Sequence, residues 1–443
     1  MKRVLIVTHY FKRQEDVGAI RLRGLAKHLP EWGWEPTVLT SASPSGGDQP
    51  CRVVETPFED LTQKWKRRVG LNAGSTVKDQ FGLRTLKNGS TAADRLMKVW
   101  EELFSYPDNF ISWYDGAVAR GAELCREERF DAILSSSRPV TAHLIAHEIK
   151  KRTGLPWIAD LRDLWTQNNY ASHWWLRRVR EKRLELRILS TADALTTVSE
   201  PLARDLEELH RHRPVVSIPN GFDPDLVNPG LPLNDRFHVV YAGVLYRGRR
   251  DPEPLFRAVR ELMDEGKMDG GEVLIDLFGD QDGWLSEDVA RHGLEGIVRL
   301  RGMVPRDEVI DNERRAQVLL LLMWNTPQEA GTYSGKVFEY LAARRPILSW
   351  GGGGGVVTGL LERTGAGIDA STYDALKEEL FRLYSEHRSH GSVAYRGRWP
   401  EIERFSHREM AGRFSAVLDD QCSSSPRSRP AVHHEADLVH RLP

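Results

Sequence analysis

Short apolar segments alternate with longer amphipathic segments along the chain. An apolar run over residues 3–8 is followed by a helical pattern over about 18–30 and by a second apolar run that ends at residue 40. A strand, a helix and a strand in that order are typical of a parallel sheet with crossover helices. Further runs of the same kind lie at 132–134, 157–159, 194–197 and 215–218.

A second series of apolar runs follows a break in the pattern at the turn-prone cluster Pro219-Asn220-Gly221. Since 443 residues exceed what one hydrophobic core usually organises, two domains are expected. We predict an α/β fold with two Rossmann-like, doubly wound domains that face each other across a cleft. The runs of the second series lie at 237–242, 273–278, 298–300, 318–323 and 346–348.

The domain boundary is predicted at this break. Residues 1–220 form the N-terminal domain, and residues 221–403 form the C-terminal domain. An amphipathic helix near 404–420 is expected to cross back and pack on the N-terminal domain. Residues 421–443, rich in Ser, Pro, Arg and His, lack a core-forming pattern and are predicted to be a disordered tail.

Composition excludes several classes of protein. The 62 basic and 63 acidic side chains give a formal net charge of -1, which offers no reason to expect a nucleic-acid partner. The three cysteines are widely separated, so neither a disulfide framework nor a zinc site is supported. No segment is typical of an export signal or a membrane span. We therefore expect a cytoplasmic protein.

Two segments are basic and aromatic, at residues 61–100 and 173–183. Such a surface suits the anionic head groups of a membrane, which would place the protein peripherally on the inner face of the cell membrane. The alternative is an ordinary solvated face. Both interpretations stay open at this point.

Polar residues follow the predicted strands of the first domain, at the sheet edge where ligands of open α/β folds bind. The loop that contains His9 leads to Gly18 at the start of a helix, where backbone N–H groups favour a phosphate; Gly18 is otherwise a turn residue. Asp160, Arg162 and Asp163 follow another strand. His9, Arg162 and Asp163 are candidates for contact with a substrate, and the alternative for Arg162 is a structural ion pair with a carboxylate.

The C-terminal domain offers two candidate diphosphate-binding segments. In the first, Gly243 ends a strand and precedes Arg247, Arg249 and Arg250, whose forked donors match diphosphate oxygens, although an exposed basic turn is the alternative. The second is a loop that opens a helix, and it is formed by Thr332, Tyr333, Ser334, Gly335 and Lys336. A cation at a helix N-terminus suits a diphosphate.

Glu339 lies one turn beyond Lys336 on the same face of the predicted helix. A carboxylate in this position is able to accept hydrogen bonds from two ribose hydroxyls. The alternative is a surface ion pair between Lys336 and Glu339, which the apolar remainder of this helix disfavours. The glycine run at 351–355 is not followed by Gly-Lys-Ser, so we predict a flexible connection there.

The order of these segments resembles the large retaining glycosyltransferase family 4, which has the GT-B fold. The resemblance covers about residues 3–420, and within the family the chain is similar to bacterial enzymes of surface-polysaccharide and glycoconjugate assembly. It rests on residues 4–7 with Arg21 and 25–29, on Ser136-Ser137-Arg138-Pro139, on 160–165, on Thr197-Val198-Ser199-Glu200 and on 218–223.

The resemblance implies a nucleotide-sugar donor in the C-terminal domain and a glycan, lipid-linked or small-molecule acceptor on the N-terminal side. It implies a retaining, metal-independent transfer, with UDP favoured over GDP as the carrier. Gly243 with Arg247 or Arg249 would begin the diphosphate site, Lys336 would add a cation, and Glu339 would match the second Glu of the family's motif. Donor contacts are therefore expected at Gly18, Gly243, Met303, Val304, Glu329, Gly331, Thr332, Tyr333, Ser334 and Gly335.

The chain departs from the family pattern where an acid is expected and Gly331 stands. Either Glu329 substitutes for that acid, or backbone N–H groups of residues 331–333 bind the donor sugar and phosphate. Two other functions stay open. One is a catalytically inactive, membrane-associated scaffold that binds nucleotide, and the other is a sugar-nucleotide epimerase of the same architecture.

Overall fold

The computed structural model describes residues 1–13, 17–42, 47–59, 106–168, 174–279, 283–324, 326 and 330–424. Two parallel sheets with helices between their strands form the core, which confirms the prediction of two doubly wound α/β domains. The N-terminal sheet has the strand order β3-β2-β1-β4-β5-β6-β7, and the C-terminal sheet has the order β10-β9-β8-β11-β12-β13.

The N-terminal sheet contains seven strands with crossover helices between them. Its strands are β1 Lys2–Val7, β2 Trp34–Ser41, β3 Arg52–Thr56, β4 Ala132–Ser137, β5 Trp157–Leu161, β6 Ala194–Thr197 and β7 Val215–Ser217. The helices of this part are α1 Val17–His28, α2 Tyr114–Glu127, α3 Thr141–Thr153, α4 Trp175–Leu189 and α5 Glu200–Leu209. Short 3₁₀ turns lie at Leu29–Trp32 and Ile111–Trp113.

The C-terminal sheet repeats the plan with six strands. They are β8 Phe237–Ala242, β9 Val273–Phe278, β10 Val298–Gly302, β11 Val318–Leu322, β12 Ile347–Trp350 and β13 Gly367–Ala370. The helices are α6 Glu253–Asp264, α7 Trp284–Arg291, α8 Arg306–Arg315, α9 Gly335–Ala343, α10 Val356–Thr364, α11 Tyr373–His390, α12 Trp399–Glu403 and α13 His407–Ser424. Short 3₁₀ turns lie at Pro224–Leu226 and Gly270–Glu272.

Alternate residues of the central strands face opposite layers of helices. Leu5 and Val7 of β1 belong to one buried cluster, whereas Val4 and Ile6 belong to another. A strand buried on both faces has a nearly continuous apolar sequence, which is why these strands stand out in the hydrophobic pattern. In each sheet the strand order reverses between two central strands, at β1/β4 and at β8/β11, and ligands of such folds bind beyond the carboxyl ends at that point.

Helix α13 packs against the N-terminal domain. The Phe414 ring lies 5.0 Å from the Arg21 guanidinium of α1, and Trp34 Nε1 donates to Asp419 Oδ1 at 3.2 Å. The helix extends to Ser424, so residues 421–424 are helical and were wrongly assigned to a disordered tail. The rest of the predicted tail, the basic segment 61–100 and His173 lie outside the described residues. The boundary at residue 220 stays a prediction.

Candidate functional site

Lys336 lies in the first turn of α9, at the carboxyl edge of the C-terminal sheet. Ser334 occupies the N-cap position and is buried, but its side chain makes no capping hydrogen bond. Lys336 Nζ donates to Tyr241 Oη at 3.3 Å and lies 4.9 Å from the centre of that ring. The ammonium group therefore reaches from the start of α9 across to the end of β8.

The absence of a side chain at Gly243 leaves room for the Lys336 side chain. The Gly243 backbone has φ +137°, and a Cβ atom at this position would collide with Cε and Nζ of Lys336. Its N–H donates to the Phe278 carbonyl at 2.8 Å, which holds this backbone beside the neighbouring strand. Only glycine adopts this conformation readily and leaves the space free. The predicted association of Gly243 with Lys336 thus has a steric basis.

Lys336 forms no ion pair with an acid of the described residues. Among the described residues, no carboxylate lies within 4.0 Å of Nζ, the limit for an ion pair. Burial, and secondarily the charge of Arg250, lower the pKa of Lys336 to about 7. A bound anion would restore the charged form, because opposite charges favour ionisation. The arrangement suits a polyanion such as a diphosphate.

Arg250 is the arginine whose positive charge lowers the pKa of this lysine. It is half-buried, and its Nε has no hydrogen-bond partner among the residues described. Tyr246 N donates to the Arg250 carbonyl at 3.1 Å across a turn that contains Gly248 at φ +70°. This turn brings Arg250 back towards the sheet. Sequence spacing alone does not distinguish Arg250 from Arg247 and Arg249.

Arg247 and Arg249, the two arginines expected to begin the diphosphate site, are exposed and make other contacts. The Arg249 guanidinium lies 4.7 Å from the centre of the Trp324 ring. Arg247 lies 5.9 Å from the Trp284 ring and 3.7 Å from Asp288 Oδ1. Their role at a diphosphate stays a prediction, and the electrostatic coupling to Lys336 belongs to Arg250.

Glu339 faces Arg306 of α8 rather than Lys336. Arg306 Nη2 donates to Glu339 Oε1, and both side chains are about one-third exposed. The alternative of a surface pair between Lys336 and Glu339 is therefore wrong. Glu313 lies nearby and is 2% exposed, and burial followed by the charge of Glu339 raises its pKa well above the usual range. Its Oε1 has no hydrogen-bond partner within the described ranges.

This acidic pair borders a cavity of about 270 Å³ between the two domains. Helix α1 supplies one wall, and helices α8 and α9 supply the other. Residues that line it include Ile20, Lys27, Phe222, Arg306, Glu313 and Glu339. Arg306 was not a sequence candidate, because nothing local marks the first residue of α8 as a partner for Glu339.

The loop after β10 places Met303 and Val304 at the same edge of the sheet. Gly302 has φ +67°, and its carbonyl accepts from Gly279 N at 2.8 Å. Beyond this turn the Met303 side chain is 69% exposed, whereas Val304 packs against the buried cluster below. A flat apolar ligand would find Met303 accessible.

His9 stands at the carboxyl end of β1 in the N-terminal domain. Its Nδ1 lies 2.8 Å from Ser41 Oγ, and the rings of Tyr10, Phe58 and Phe110 surround it at 4.3–5.0 Å between centroids. Burial lowers the pKa of His9 to about 4, so the ring is neutral at pH 7. A neutral imidazole is able to accept a proton from a hydroxyl group.

Arg162 and Asp163 differ in their surroundings. Arg162 donates to the carbonyls of Gly18 at 2.7 Å, Ser137 at 2.8 Å and Arg138 at 3.4 Å. It thereby joins α1 to the end of β4, and the alternative of an ion pair between Arg162 and a carboxylate is wrong for the described residues. Asp163 is exposed at the same sheet edge.

Asp160, predicted to follow the strand, is instead the fourth residue of β5, and its buried carboxylate pairs with Arg21. Arg21 Nη2 and Nε lie 3.0 and 3.2 Å from its two oxygens, and the side chains are 3% and 0% exposed. Ser136 and Thr196 each donate to Asp160 at 2.8 Å. Arg21 also donates to the carbonyls of Ile218 and Pro219. The segments that carried the family resemblance therefore meet in one structural network.

Known proteins match both the N-terminal sequence and the fold. Residues 18–221 match the model of the glycosyl transferase 4-like domain. The chain is a glycosyltransferase that contains a glycosyl transferase 4-like domain at residues 18–221 within a GT-B fold. Comparison of this glycosyltransferase with curated protein sequences gives no match.

Several solved structures share the fold of the glycosyltransferase. Sucrose-phosphate synthase from Thermosynechococcus elongatus is 16% identical with a TM-score of 0.61, and the match covers 96% of this chain and 100% of that one. A glycosyltransferase from Rickettsia africae is 13% identical with a TM-score of 0.61, covering 96% and 99%. HepE from Anabaena, solved with UDP and glucose, is 14% identical with a TM-score of 0.60, covering 95% and 100%.

The glycosyltransferase has a structural reason for glycine at position 331. The Gly331 carbonyl accepts from Ser199 Oγ of the N-terminal domain at 2.6 Å. A Cβ atom here would lie 3.1 Å from Pro201 Cβ, which is tighter than normal packing. A side chain at this position would therefore require Pro201 to shift by a few tenths of an ångström. Glu329, the proposed substitute, lies outside the described residues.

The remaining donor candidates of the glycosyltransferase lie around the start of α9. Thr332 is half-buried, and so is Tyr333, whose ring lies 5.5 Å from that of Phe338. Gly335 is exposed with open space around its Cα. Gly18 lies in the first turn of α1, where a Cβ atom would be 3.1 Å from the Tyr10 ring. Close packing on Tyr10 accounts for this glycine.

Neither a metal cluster nor a membrane span is found in the part of the chain that the structure describes. Three or more His, Cys, Asp or Glu side chains do not gather there in an arrangement that would hold a metal ion. None of the described helices is both long and apolar enough to cross a membrane. Metal independence stays a prediction for this glycosyltransferase.

Proposed function

We propose that this glycosyltransferase moves a sugar from a nucleoside-diphosphate sugar to a glycan, lipid-linked or small-molecule acceptor, with retention at the anomeric carbon. One observation carries the proposal. The charge of Arg250 acts on Lys336 at the carboxyl edge of the C-terminal sheet, and no carboxylate forms an ion pair with Lys336 among the described residues. Two cations held together in this way lack the counter-charge that a diphosphate supplies.

The two cations act on the leaving group. Departure of the nucleoside diphosphate from the anomeric carbon leaves negative charge on its oxygens and an oxocarbenium-like sugar. Lys336 and Arg250 stabilise that charge more in the transition state than in the bound donor. The leaving phosphate then helps to deprotonate the acceptor hydroxyl on the same face of the sugar, so no side-chain nucleophile is assigned. With two cations at the diphosphate, we propose that no metal ion takes part.

The nucleoside occupies the side of the cleft formed by α8 and α9. Glu339 accepts hydrogen bonds from ribose hydroxyls, for which it must share or release Arg306. The base lies beside Met303, whose side chain is accessible. UDP is the favoured carrier, and HepE, which shares the fold, was solved with UDP and with UDP-glucose.

The acceptor approaches from the N-terminal domain. His9 is neutral at pH 7 and Asp163 is exposed, and both stand at the edge of the sheet that faces the cleft. Because the cysteines are not paired in disulfides, a reducing cytoplasm is the proposed location.

Nucleotide binding tests whether Lys336 belongs to the donor site. Wild-type protein, Lys336→Ala and the exposed control Lys151→Ala are each heated with UDP, GDP, ADP or dTDP. A nucleotide at a hundred times its dissociation constant stabilises the folded state by about 2.7 kcal/mol. We expect UDP to raise the melting temperature of the wild type and of Lys151→Ala but not that of Lys336→Ala. If Lys336→Ala responds to UDP as strongly as the wild type, the site is elsewhere.

Product analysis separates transfer from its alternatives. The protein is incubated with a panel of UDP-sugars, and free UDP and the released sugar are measured. The proposal predicts slow release of UDP and of a sugar with the anomeric configuration of the donor. A UDP-sugar changed only in its sugar stereochemistry would indicate an epimerase. Binding with no release from any donor would indicate the inactive scaffold.

A further inference from the structure

Exposed apolar side chains are concentrated at one helix of the N-terminal domain. Ten large hydrophobic side chains of the described residues are exposed, and five of them lie between residues 174 and 186. Trp174 and Trp175, at the start of α4, are 70% and 71% exposed. Such a concentration marks an interaction surface, because scattered exposed residues would be the ordinary case.

The exposed residues of α4 form a stripe along the helix. Trp175, Val179 and Leu186 are spaced by four and seven residues and therefore share a face. Leu176 and Trp174 extend this face at the N-terminal end of the helix. The opposite face is buried in the domain core through Leu184 and Ile188. The helix is thus anchored on one side and presents an apolar stripe on the other.

Arg178 and Arg183 flank this stripe and Lys182 lies within it, whereas the acids of the helix are directed away from it. Arg178, Lys182, Arg183 and Arg187 are exposed. The two acids of α4 are both buried: Glu181 is 5% exposed and pairs with Arg177 at 2.8 Å, and Glu185 is 0% exposed and accepts from Thr166 N at 3.1 Å. The outward face of Trp175–Leu189 therefore carries positive charge only.

The start of α4 lies at the cleft side of the domain. The helix follows β5, which ends at Leu161, and a crossover helix begins at the edge where its strand ends. Asp163 and the exposed Trp174 therefore belong to the same edge of the N-terminal sheet. A surface bound at Trp174 and Trp175 would lie next to the side from which an acceptor approaches.

We propose that this stripe, formed by Trp174, Trp175, Leu176, Val179 and Leu186 with its flanking cations, docks on an anionic membrane surface. The indole rings enter the head-group region, and the cations contact lipid phosphates. Aromatic side chains at the tip, an apolar centre and cations on the flanks are the features of a helix that lies in the plane of the interface. The inference concerns a partner surface and does not depend on the nature of the donor.

Vesicle co-sedimentation of the full chain tests the proposal. The vesicles contain phosphatidylcholine alone or phosphatidylcholine with about 30 mol% phosphatidylglycerol, which imitates an anionic leaflet. We expect binding to the anionic vesicles only, and weaker binding as the salt concentration rises. The double variant Trp174→Ser/Trp175→Ser should lower the partition coefficient about tenfold. The variant Arg178→Gln/Arg183→Gln should lower it by about tenfold or more, with a weaker dependence on salt.

Matched variants elsewhere on the surface serve as controls. Ile368→Ser removes an exposed apolar side chain of the C-terminal domain, and Lys151→Gln/Arg126→Gln removes two exposed cations of the N-terminal domain. Both should bind vesicles like the wild type. Every variant should retain the wild-type melting temperature, and its response to UDP reports separately on the donor site.

Each of three results would overturn the proposal. In the first, the wild type stays in the supernatant with anionic vesicles at low salt. In the second, the double tryptophan variant sediments with the vesicles as well as the wild type does. In the third, the protein does not bind vesicles, and sedimentation velocity shows a dimer that Trp174→Ser/Trp175→Ser dissociates. The stripe would then join two copies of this chain.

Discussion

Charged side chains stand beyond the central strands in both halves of the molecule, but their partners differ. In the N-terminal domain the guanidinium of Arg21 and the carboxylate of Asp160 form a buried pair, and each makes further hydrogen bonds. In the C-terminal domain Lys336 and Arg250 are two cations together, and the lysine has no carboxylate partner among the described residues.

The difference distinguishes charged residues that stabilise the fold from charged residues that are available to bind a ligand. Burial alone would raise the pKa of Asp160, but the charge of Arg21 and the hydroxyls of Ser136 and Thr196 outweigh it and leave the pKa below its usual value. Burial and the charge of Arg250 lower the pKa of Lys336 to about 7, because the opposing charges of Glu339 and Glu313 are too weak to offset them. A satisfied pair holds elements in place, whereas an uncompensated cation is available to a ligand.

Breaking the N-terminal pair should cause the largest loss of stability. Asp160→Asn leaves the Arg21 guanidinium buried without a counter-charge, which typically costs about 3–5 kcal/mol of unfolding free energy. Urea-induced unfolding measures the change. The neighbouring exposed Asp163→Asn is the control and should change stability by less than about 0.5 kcal/mol. Similar losses in the two variants would mean that the pair is not the structural centre of this domain.

Removing Lys336 should affect the rate of transfer rather than the stability of the fold. Lys336→Met deletes a half-buried cation whose lowered pKa opposes folding at neutral pH, so the free energy of unfolding should not fall. Transfer should slow by about 10²–10³-fold, as for other groups that stabilise charge in a transition state. Rates with a saturating UDP-sugar and urea unfolding give the two quantities. Destabilisation as large as that of Asp160→Asn would show that Lys336 is structural.

Substituting Arg250 and Arg249 separately should show which of the two arginines contributes to UDP binding. Arg250→Gln removes the cation that is coupled to Lys336, so UDP affinity should fall about tenfold. Arg249→Gln removes a cation stacked on Trp324, and the affinity should fall by less than about threefold. Isothermal titration calorimetry with UDP measures both. A larger loss of UDP affinity for Arg249→Gln would support the prediction from the sequence that Arg249 contacts the diphosphate.

The central strands could be predicted from the sequence, whereas the edge strands β3 and β13 could not. Val318–Leu322 is a continuous apolar run because β11 is buried on both faces. Arg52–Thr56 and Gly367–Ala370 lie at sheet edges and are only partly buried, so their sequences mix polar and apolar residues. Neither produces a run long enough to distinguish a strand from a loop.

The candidate site was predictable only where its signal is local. A loop that opens a helix at Lys336 is visible in the sequence, but the reason for Gly243 is the space that this distant side chain occupies. Gly355 shows the same effect, because its backbone packs on Ala330 within the glycine run predicted to be flexible. The partners Arg306–Glu339 and Arg21–Asp160 come from separate elements. Pairings of this kind arise from tertiary packing.

The smallest predicted effect is a pH dependence of nucleotide affinity that belongs to Lys336. Its pKa of about 7 lies below its ordinary value of 10.5, so the unfolded chain binds the additional proton across that interval, and this lysine favours the folded state increasingly as pH rises through it. A bound diphosphate prefers the protonated lysine, so UDP binding takes up a proton and should weaken about fivefold between pH 7 and pH 8, where the UDP phosphates are already ionised. In Lys336→Arg the cation keeps its proton, and calorimetry should show a nearly constant affinity over this range. If the wild type and Lys336→Arg weaken alike, the titrating group is another residue, and the contrast between the two halves of the molecule would rest on geometry alone.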